Sequence, residues 1–282
     1  MHIFRLRCKN NTVGEIFTQR TFQMKTVCLR SVFAVMLSAL LTLNTLTCYA
    51  GGENEAFNFY CKRNSEHKTP TIDANISFIS QNSGYYVGKD DEKVIYLTFD
   101  AGYENGNIER ILNVLSDHGA HGAFFVLENL IRRNTALVER MAQEGHLVCN
   151  HTYRHKDMSK VTSKEEFEKE LCSLESYYTE MTGRHLAPYY RPPEGRFTQK
   201  NLIFAEEMGY KTVFWSFAYA DWDNDRQPDA ERAKKLILDN THNGMVILLH
   251  PTSKTNADIL DSLLSEWESL GYRFGTLDEL CI

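Results

Sequence analysis

From about Glu92 onward the chain alternates between short apolar runs and longer amphipathic segments. Val94–Phe99 is apolar on both faces, with one hydroxyl, and is rich in β-branched and aromatic side chains. That is the pattern of a parallel strand buried on both sides. The same reading places strands at Gly122–Val126, Leu147–Asn150, Ala187–Tyr190, Thr212–Ser216, Val246–Leu249 and Arg273–Gly275. Helical spacing fills the intervals. Asn107 stands before Ile108, Ile111, Leu112 and Leu115, and Asn134 before Leu137, Val138 and Met141. Ser163 followed by Glu166 has the spacing of a capping box. Thr198, Pro228 and Asn256 mark the starts of three further helices. Strand–helix alternation over this length predicts a parallel sheet with helices outside it. About seven such units without a glycine-rich dinucleotide fingerprint predict an α/β fold, a distorted or incomplete (β/α) barrel.

The pattern changes upstream. Residues 51–91 are polar, contain Pro70 and several Asn, and show no sustained periodicity. They read as an N-terminal arm that packs loosely. Ser31–Thr47 is apolar, follows Lys25 and Arg30, and is succeeded by Cys48-Tyr49-Ala50-Gly51. This is the order of a secretory leader, and the run is short for a permanent anchor. Cys48 as a lipidated cysteine is disfavoured by Thr47 before it. The organisation expected is a leader and signal peptide over 1–50, with Met24 as the alternative start, an arm over 51–91 and the main domain over 92–282.

Composition narrows the classes. An apolar fraction of 43% over 282 residues is enough for one large core. A formal charge of -6 argues against nucleic acid as a partner. The seven cysteines show no CxxC spacing, which argues against a structural zinc site or a redox pair. Losing Cys8, Cys28 and Cys48 with the leader leaves Cys61, Cys149, Cys172 and Cys281, too few for a disulfide scaffold. Cys149 and Cys172 sit in apolar patterns as buried thiols, and no obligatory disulfide is expected.

Chemistry-bearing residues gather where the strands end. Asp100 follows Val94–Phe99 directly. A carboxylate there stands where barrels and open α/β folds place their active sites. His151-Thr152-Tyr153-Arg154-His155 follows His146–Cys149. Two imidazoles four residues apart share one side of a helical turn and can hold one metal ion. In Tyr190-Arg191-Pro192-Pro193-Glu194-Gly195 the prolines hold Arg191 extended. Arginine orients a carboxylate through two parallel hydrogen bonds. Gly195 allows a turn that points backbone N–H groups inward. Asp221-Trp222 comes shortly after Thr212–Ser216: an Asp can fix a histidine tautomer, and a Trp offers a sugar a flat apolar face. The acidic run Asp221, Asp223, Asp225 lacks the glycine and terminal Glu of a calcium loop. His250 ends Val246–Leu249, and Pro251 stops that strand. Imidazole is the side chain best suited to donating a proton near neutral pH. Each feature alone has a plain structural explanation, such as a turn-forming Asp or a solvated acidic loop. Five of them at five strand ends point to one site.

TFDAG at Thr98–Gly102, HTYRH at His151–His155, RPPEG at Arg191–Gly195, DW at Asp221–Trp222 and LLHP at Leu248–Pro251 resemble the ordered motifs of the polysaccharide deacetylases, the NodB-homology carbohydrate esterases. The resemblance covers about 92 to 280. Phe99–Gly106 and Val213–Trp222 are similar to the branch that removes acetyl groups from muramic acid of spore-cortex peptidoglycan, on the path to muramic δ-lactam. It implies a NodB-type fold and a secreted hydrolase acting on a peptidoglycan glycan strand, with the membrane involved only through the leader. It also implies Asp100 as base, Arg191 orienting it, His250 as acid, Asp221 orienting His250, and one divalent ion, zinc the expected one, on His151 and His155. Trp222, Tyr103, Glu194 and Gly195 are the residues implied for substrate contact. Most of the family carries a second Asp as a metal ligand where this chain has Ala101, so metal binding is expected to be weak, with water or substrate oxygen completing the shell. Two other readings remain open. One is a deacetylase of another acetylated polymer, such as chitin, xylan or the N-acetylglucosamine of peptidoglycan. The other is a glycan-binding module without turnover.

Overall fold

The structure, a computed structural model, describes residues 52–64 and 66–282. The predicted leader, the Met24 start and Cys8, Cys28 and Cys48 lie outside the described residues. The main sheet holds eight strands, all paired in parallel: β1 Gly84–Tyr85, β2 Val94–Ala101, β3 Ala123–Val126, β4 Leu147–Asn150, β5 Ala187–Tyr190, β6 Lys211–Val213, β7 Met245–Leu249 and β8 Arg273–Gly275. Their order is β7-β2-β3-β4-β5-β6-β1, with β8 also paired to β2. The helices are α1 Ile108–Asp117, α2 Glu128–Arg133, α3 Thr135–Gln143, α4 Lys164–Thr182, α5 Gln199–Glu207, α6 Ala230–Asp239, α7 Lys254–Ser269 and α8 Leu277–Leu280. Parallel strands wrapped by helices form the incomplete barrel that the sequence pattern predicts.

The central strand shows why the ring is distorted. β7 pairs along Ile95–Phe99 of β2. The opposite edge of β2 is shared: β8 takes Val94–Tyr96 and β3 takes Thr98–Ala101. β2 is therefore flanked on both edges along its middle, and Ile95, Leu97 and Phe99 are almost fully buried. It runs through Asp100 to Ala101, so Asp100 is a residue of the strand itself.

Between β6 and β7 regular pairing fails. The strand expected over Thr212–Ser216 stops at Val213. There the carbonyls of Val213 and Phe214 turn to the Arg191 guanidinium, accepting hydrogen bonds from it at 2.9 and 3.0 Å. The gap is crossed irregularly. The Ser216 and Phe217 N–H groups both donate to the Val246 carbonyl at 2.9 and 3.2 Å, and Leu248 N–H donates to the Phe217 carbonyl at 2.9 Å.

Helix starts depart from expectation in detail. Asn107 precedes α1, but its amide donates to the Thr252 carbonyl at 3.1 Å, while Glu104 caps the Ile108 N–H at 3.0 Å. Ser163 caps α4 through Glu166 N–H at 3.2 Å, yet the Glu166 carboxylate pairs with Lys156 instead of closing the box. A complete box forms at Thr198 and Asn201. α7 begins at Lys254 on the Ser253 cap, not at Asn256, and this frees the Asn256 side chain for other work.

The arm also differs from its expectation of loose packing. Phe57–Asn58 pairs antiparallel with Arg196–Phe197, and β1 adds a strand to the main sheet beside β6. Phe57, Phe59, Cys61, Ile76 and Ile79 are buried with Phe197, Leu202 and Phe214. The apolar residues here are spaced by turns and short strands rather than by one period, so a periodicity test passes over them.

Cys61, Cys149 and Cys281 are free, buried thiols. Cys172 is only half-buried, against the expectation of a buried thiol. Burial pushes the Cys61 and Cys281 thiols up to about 12, so both stay protonated. The thermal midpoint is expected to be the same with and without a reducing agent in a scanning-fluorimetry comparison; a loss of several degrees on reduction would contradict this.

Candidate active site

The site is built from the carboxyl ends of β2, β4, β5 and β7, together with the irregular segment after β6. Arg191, directly after β5, is fully buried. Its Nη1 donates to Asp100 Oδ1 at 2.8 Å, Nη2 to Thr98 Oγ1 at 2.9 Å and Phe214 O at 3.0 Å, and Nε to Val213 O at 2.9 Å. The guanidinium also stacks 4.2 Å above the Phe125 ring. Sequence reasoning anticipates a two-pronged grip on a carboxylate. Only one prong meets Asp100; the other nitrogens tie down β2 and the Val213–Phe214 backbone.

Burial would raise the Asp100 carboxyl, but His151, Arg191 and His250 together hold it below the usual carboxylate range. Arg191 is the lasting source of that effect, because burial pushes His151 itself down to about 4 and keeps it neutral at ordinary pH. His151 Nδ1 lies 2.8 Å from the Arg191 carbonyl and donates its proton there. Its Nε2 lies 3.5 Å from Asp100 Oδ2. Two electron-rich atoms thus face one another without a proton between them.

The expected helical turn over His151–His155 is absent, and the segment is a loop. Asn150 Oδ1 accepts from Thr152 N–H at 2.9 Å, and Thr152 Oγ1 accepts from His155 N–H at 3.0 Å. These two local bonds bend the chain so that Thr152 and His155 take φ of 70° and 56°. A β-branched residue there carries strain of about 1–3 kcal/mol, as is common at functional sites. The result still brings the two imidazoles together, with ring centroids 5.1 Å apart.

At the neighbouring strand end Asp221 is fully buried and accepts three bonds. They come from His250 Nδ1 at 2.7 Å, His250 N–H at 2.8 Å and Asn256 Nδ2 at 2.6 Å. Burial would lower the His250 pKa, but the Asp221 hydrogen bond and charge, with Asp100 behind them, hold it above its ordinary value. β7 pairs with β2 at Leu249 and Phe99, so His250 and Asp100 stand at adjoining strand ends.

The outer residues are less tightly held. Trp222 is 59% exposed, with its ring 6.1 Å from that of His250. Tyr103 is exposed and its hydroxyl meets the Asn224 amide. Glu194 is exposed with φ 57°. The Gly195 N–H is already bonded to the Pro192 carbonyl at 3.0 Å, so it does not point inward as a free donor. Sequence reasoning passed over Thr98, Asn150, Tyr219 and Asn256. Tyr219 and Asn256 bond to each other and so complete the support of Asp221. From the sequence Asn256 reads only as a helix start, and Thr98 and Asn150 only as strand residues.

The donors suit a divalent cation in part. His151 is neutral, its tautomer is set by a carbonyl, and its free nitrogen faces a carboxylate beside a second imidazole, features of a metal-ligating histidine. Ala101 is fully buried in the apolar core and offers nothing. Among the described residues no group of three His, Cys, Asp or Glu side chains is arranged to hold a metal. His151 and His155 are the residues that would hold one, with open positions left over.

A carboxylate held ionised by an arginine stands next to an imidazole held protonatable by a second carboxylate, at the mouth of a parallel half-barrel, an arrangement able to accept a proton at one group and donate one at the other. This chain belongs to the polysaccharide deacetylases of carbohydrate esterase family 4, hydrolases that remove N-acetyl groups. The family described as polysaccharide deacetylase matches residues 87–213, a span that includes Asp100, His151, His155 and Arg191 and ends before Asp221 and His250. An uncharacterised 30.6 kDa protein of Geobacillus stearothermophilus is 36% identical over 245 residues, 86% of this chain and 92% of that protein. The peptidoglycan-N-acetylmuramic acid deacetylase PdaA of Bacillus subtilis is 36% identical over 228 residues, 80% of this chain and 86% of that protein. The solved structure of Bacillus subtilis PdaA, a family 4 carbohydrate esterase, superposes with a TM-score of 0.78 at 36% identity, covering 80% of this chain and 97% of that chain.

The geometry makes Asn256 testable. Asn256→Ala removes one of three donors to a buried carboxylate and should lower kcat for acetate release by roughly 10-fold, with KM little changed. Unaltered kinetics in the folded variant would show that Asp221 holds His250 without it.

Proposed function

We propose that this protein is a secreted, metal-dependent peptidoglycan N-deacetylase that removes acetyl from N-acetylmuramic acid, on the path to muramic δ-lactam of spore cortex. One observation carries the catalytic part: an Arg-held carboxylate and an Asp-held imidazole at adjoining strand ends, Asp100 and His250. The muramic-acid part is supported by likeness over 80% of the chain to a relative named for that activity.

The substrate is an N-acetyl sugar within a glycan strand, its amide placed between Asp100 and His250. When bound on His151 and His155, a divalent cation, zinc the expected one, supplies Lewis acidity toward the acetyl carbonyl and the attacking water. Asp100 accepts the proton of that water as its oxygen bonds to the acetyl carbon. Arg191 keeps Asp100 ionised and aimed. With Gly195 N–H engaged, the backbone donor to the developing oxyanion falls to Glu194, a contact of the kind worth about 2.7–4 kcal/mol. His250 Nδ1 is held by Asp221, which leaves Nε2 to protonate the amine nitrogen as the C–N bond breaks. Acetate and a free sugar amine result. Trp222 and Tyr103 flank the sugar with apolar faces.

Asp100→Asn should reduce acetate release from N-acetylated glycan strands by about 10²–10⁴-fold in the folded enzyme and lower the thermal midpoint, because the buried Arg191 charge loses its partner. Turnover at the wild-type rate would remove Asp100 from the base role. Exhaustive chelation should abolish activity and added divalent ion should restore it; activity that survives chelation would remove the cation from the scheme. Mass spectrometry of the digested strands decides the sugar, since new free amines only on glucosamine would contradict muramic-acid specificity.

The pH dependence carries its own sign. His250 must be protonated to act, and Asp221 raises its pKa. The alkaline limb of kcat/KM should therefore lie above the ordinary histidine value. Asp221→Asn should move that limb to lower pH as well as lower the plateau; a limb that stays in place would exclude His250 as the acid.

A further inference from the structure

Arg191 takes two of its acceptors from Val213 and Phe214, and its own loop runs on through Pro192–Gly195. Both segments lean on the amino-terminal arm, and Phe59 sits where they meet. Its N–H donates to the Gly195 carbonyl at 2.8 Å. Its ring stacks on Phe214 at 4.3 Å and 17°, and meets Trp215 edge-on at 5.4 Å and 76°. A Cβ added to Gly195 would fall 2.7 Å from the Trp215 ring and 3.2 Å from Phe59 Cβ, so loop, ring and arm are already in closest contact. Two further residues follow at alternate positions. Cys61 Sγ donates to the Trp215 carbonyl at 3.2 Å, and Arg63 donates to the Ala218 carbonyl while lying 4.9 Å over the Phe217 ring. The arm therefore runs beside 214–218, the stretch that regular strand pairing does not support.

We propose that Phe59 is a positioning residue for deacetylation: wedged between the Glu194–Gly195 loop and Phe214–Trp215, it holds Arg191, and through it Asp100, in working geometry. The inference rests on the deacetylase activity and adds a role for the arm. Arg191 reaches Asp100 with a single nitrogen, so its aim depends on where the Val213 and Phe214 carbonyls lie. The Phe214 backbone is held by Tyr85 through one hydrogen bond at 2.7 Å, and its ring is packed by Phe59 at 4.3 Å and Phe197 at 4.9 Å, of which Phe59 is the one that also touches Trp215 and the Gly195 loop. Removing the ring lets that backbone and the Gly195 loop relax toward the space it filled. Asp100 is then misaimed while the sugar-contacting Trp222 and Tyr103 are untouched, so kcat falls and KM does not.

The test uses the full chain with divalent ion supplied, comparing wild type, Phe59→Ala and Phe59→Leu. Steady-state acetate release from N-acetylated glycan strands is measured well below the thermal midpoint of each. In Phe59→Ala kcat should fall by about 10–100-fold, the cost of misplacing a reacting group by up to about 1 Å, with KM essentially unchanged. Phe59→Leu, which keeps most of the volume, should recover much of the loss. If Phe59→Ala fails to fold, Phe59→Leu still has to show a kcat several-fold below wild type at unchanged KM. Wild-type kcat in a folded variant overturns the proposal, as does a loss confined to KM. A wild-type protein that releases no acetate overturns the activity itself, and this inference with it.

Discussion

The structure depends on burying one positive charge. Arg191 is fully buried, and a guanidinium taken out of water is costly unless its donors are met. Here four of its five N–H donors are met, by one carboxylate, one hydroxyl and two carbonyls, drawn from β2 and from the backbone at the end of β6. Breaking such an arrangement by deleting one partner typically costs about 3–5 kcal/mol, because the other charge is left stranded. The charge therefore specifies the relative placement of those segments more than it adds to net stability. β6 ends where that grip begins, and the irregular chain that follows carries Asp221 to the site.

Two carboxylates at the same end of one sheet are driven to different work by what surrounds them. Asp100 faces a guanidinium, which keeps it ionised, and a neutral imidazole that offers it no proton, so it is free to take one. Asp221 spends its oxygens on His250 and Asn256, so its charge serves to keep an imidazole protonatable. The two aspartates differ in their partners, not in residue type. The same logic runs through the loops. The local bonds of Asn150 and Thr152 impose left-handed backbone at Thr152 and His155, and the surrounding burial of His151 holds that strain in place.

The parts of the fold legible in the sequence are those under a local rule. A strand buried on both faces must be apolar along its whole length, so Val94–Phe99 and Val246–Leu249 announce themselves, and α1 and α3 show their buried stripes, whereas the short α2 and α8 do not. The site residues stand out because each carries a polar or titratable group just past such a run. The arm is a different case. Phe57, Phe59 and Cys61 are core residues, yet their partners Phe197 and Phe214 lie far along the chain, and nothing local marks them. Asn256 fails for a related reason: at the third position of a helix it looks like a cap, and only the Ser253 cap beneath it releases its amide to Asp221.

By itself the sequence determined the alternation of strand and helix, the parallel barrel class, and which side chains stand at which strand ends, since all of these follow from periodicity and order along the chain. Tertiary structure alone decided how Arg191 divides its hydrogen bonds, that the two imidazoles converge through a strained loop rather than a helical turn, that the Gly195 N–H is already engaged, and that the arm is part of the core. Those outcomes depend on which donors and acceptors remain unmet once distant segments are packed together. That balance is settled across the whole buried volume, and no stretch of chain contains it.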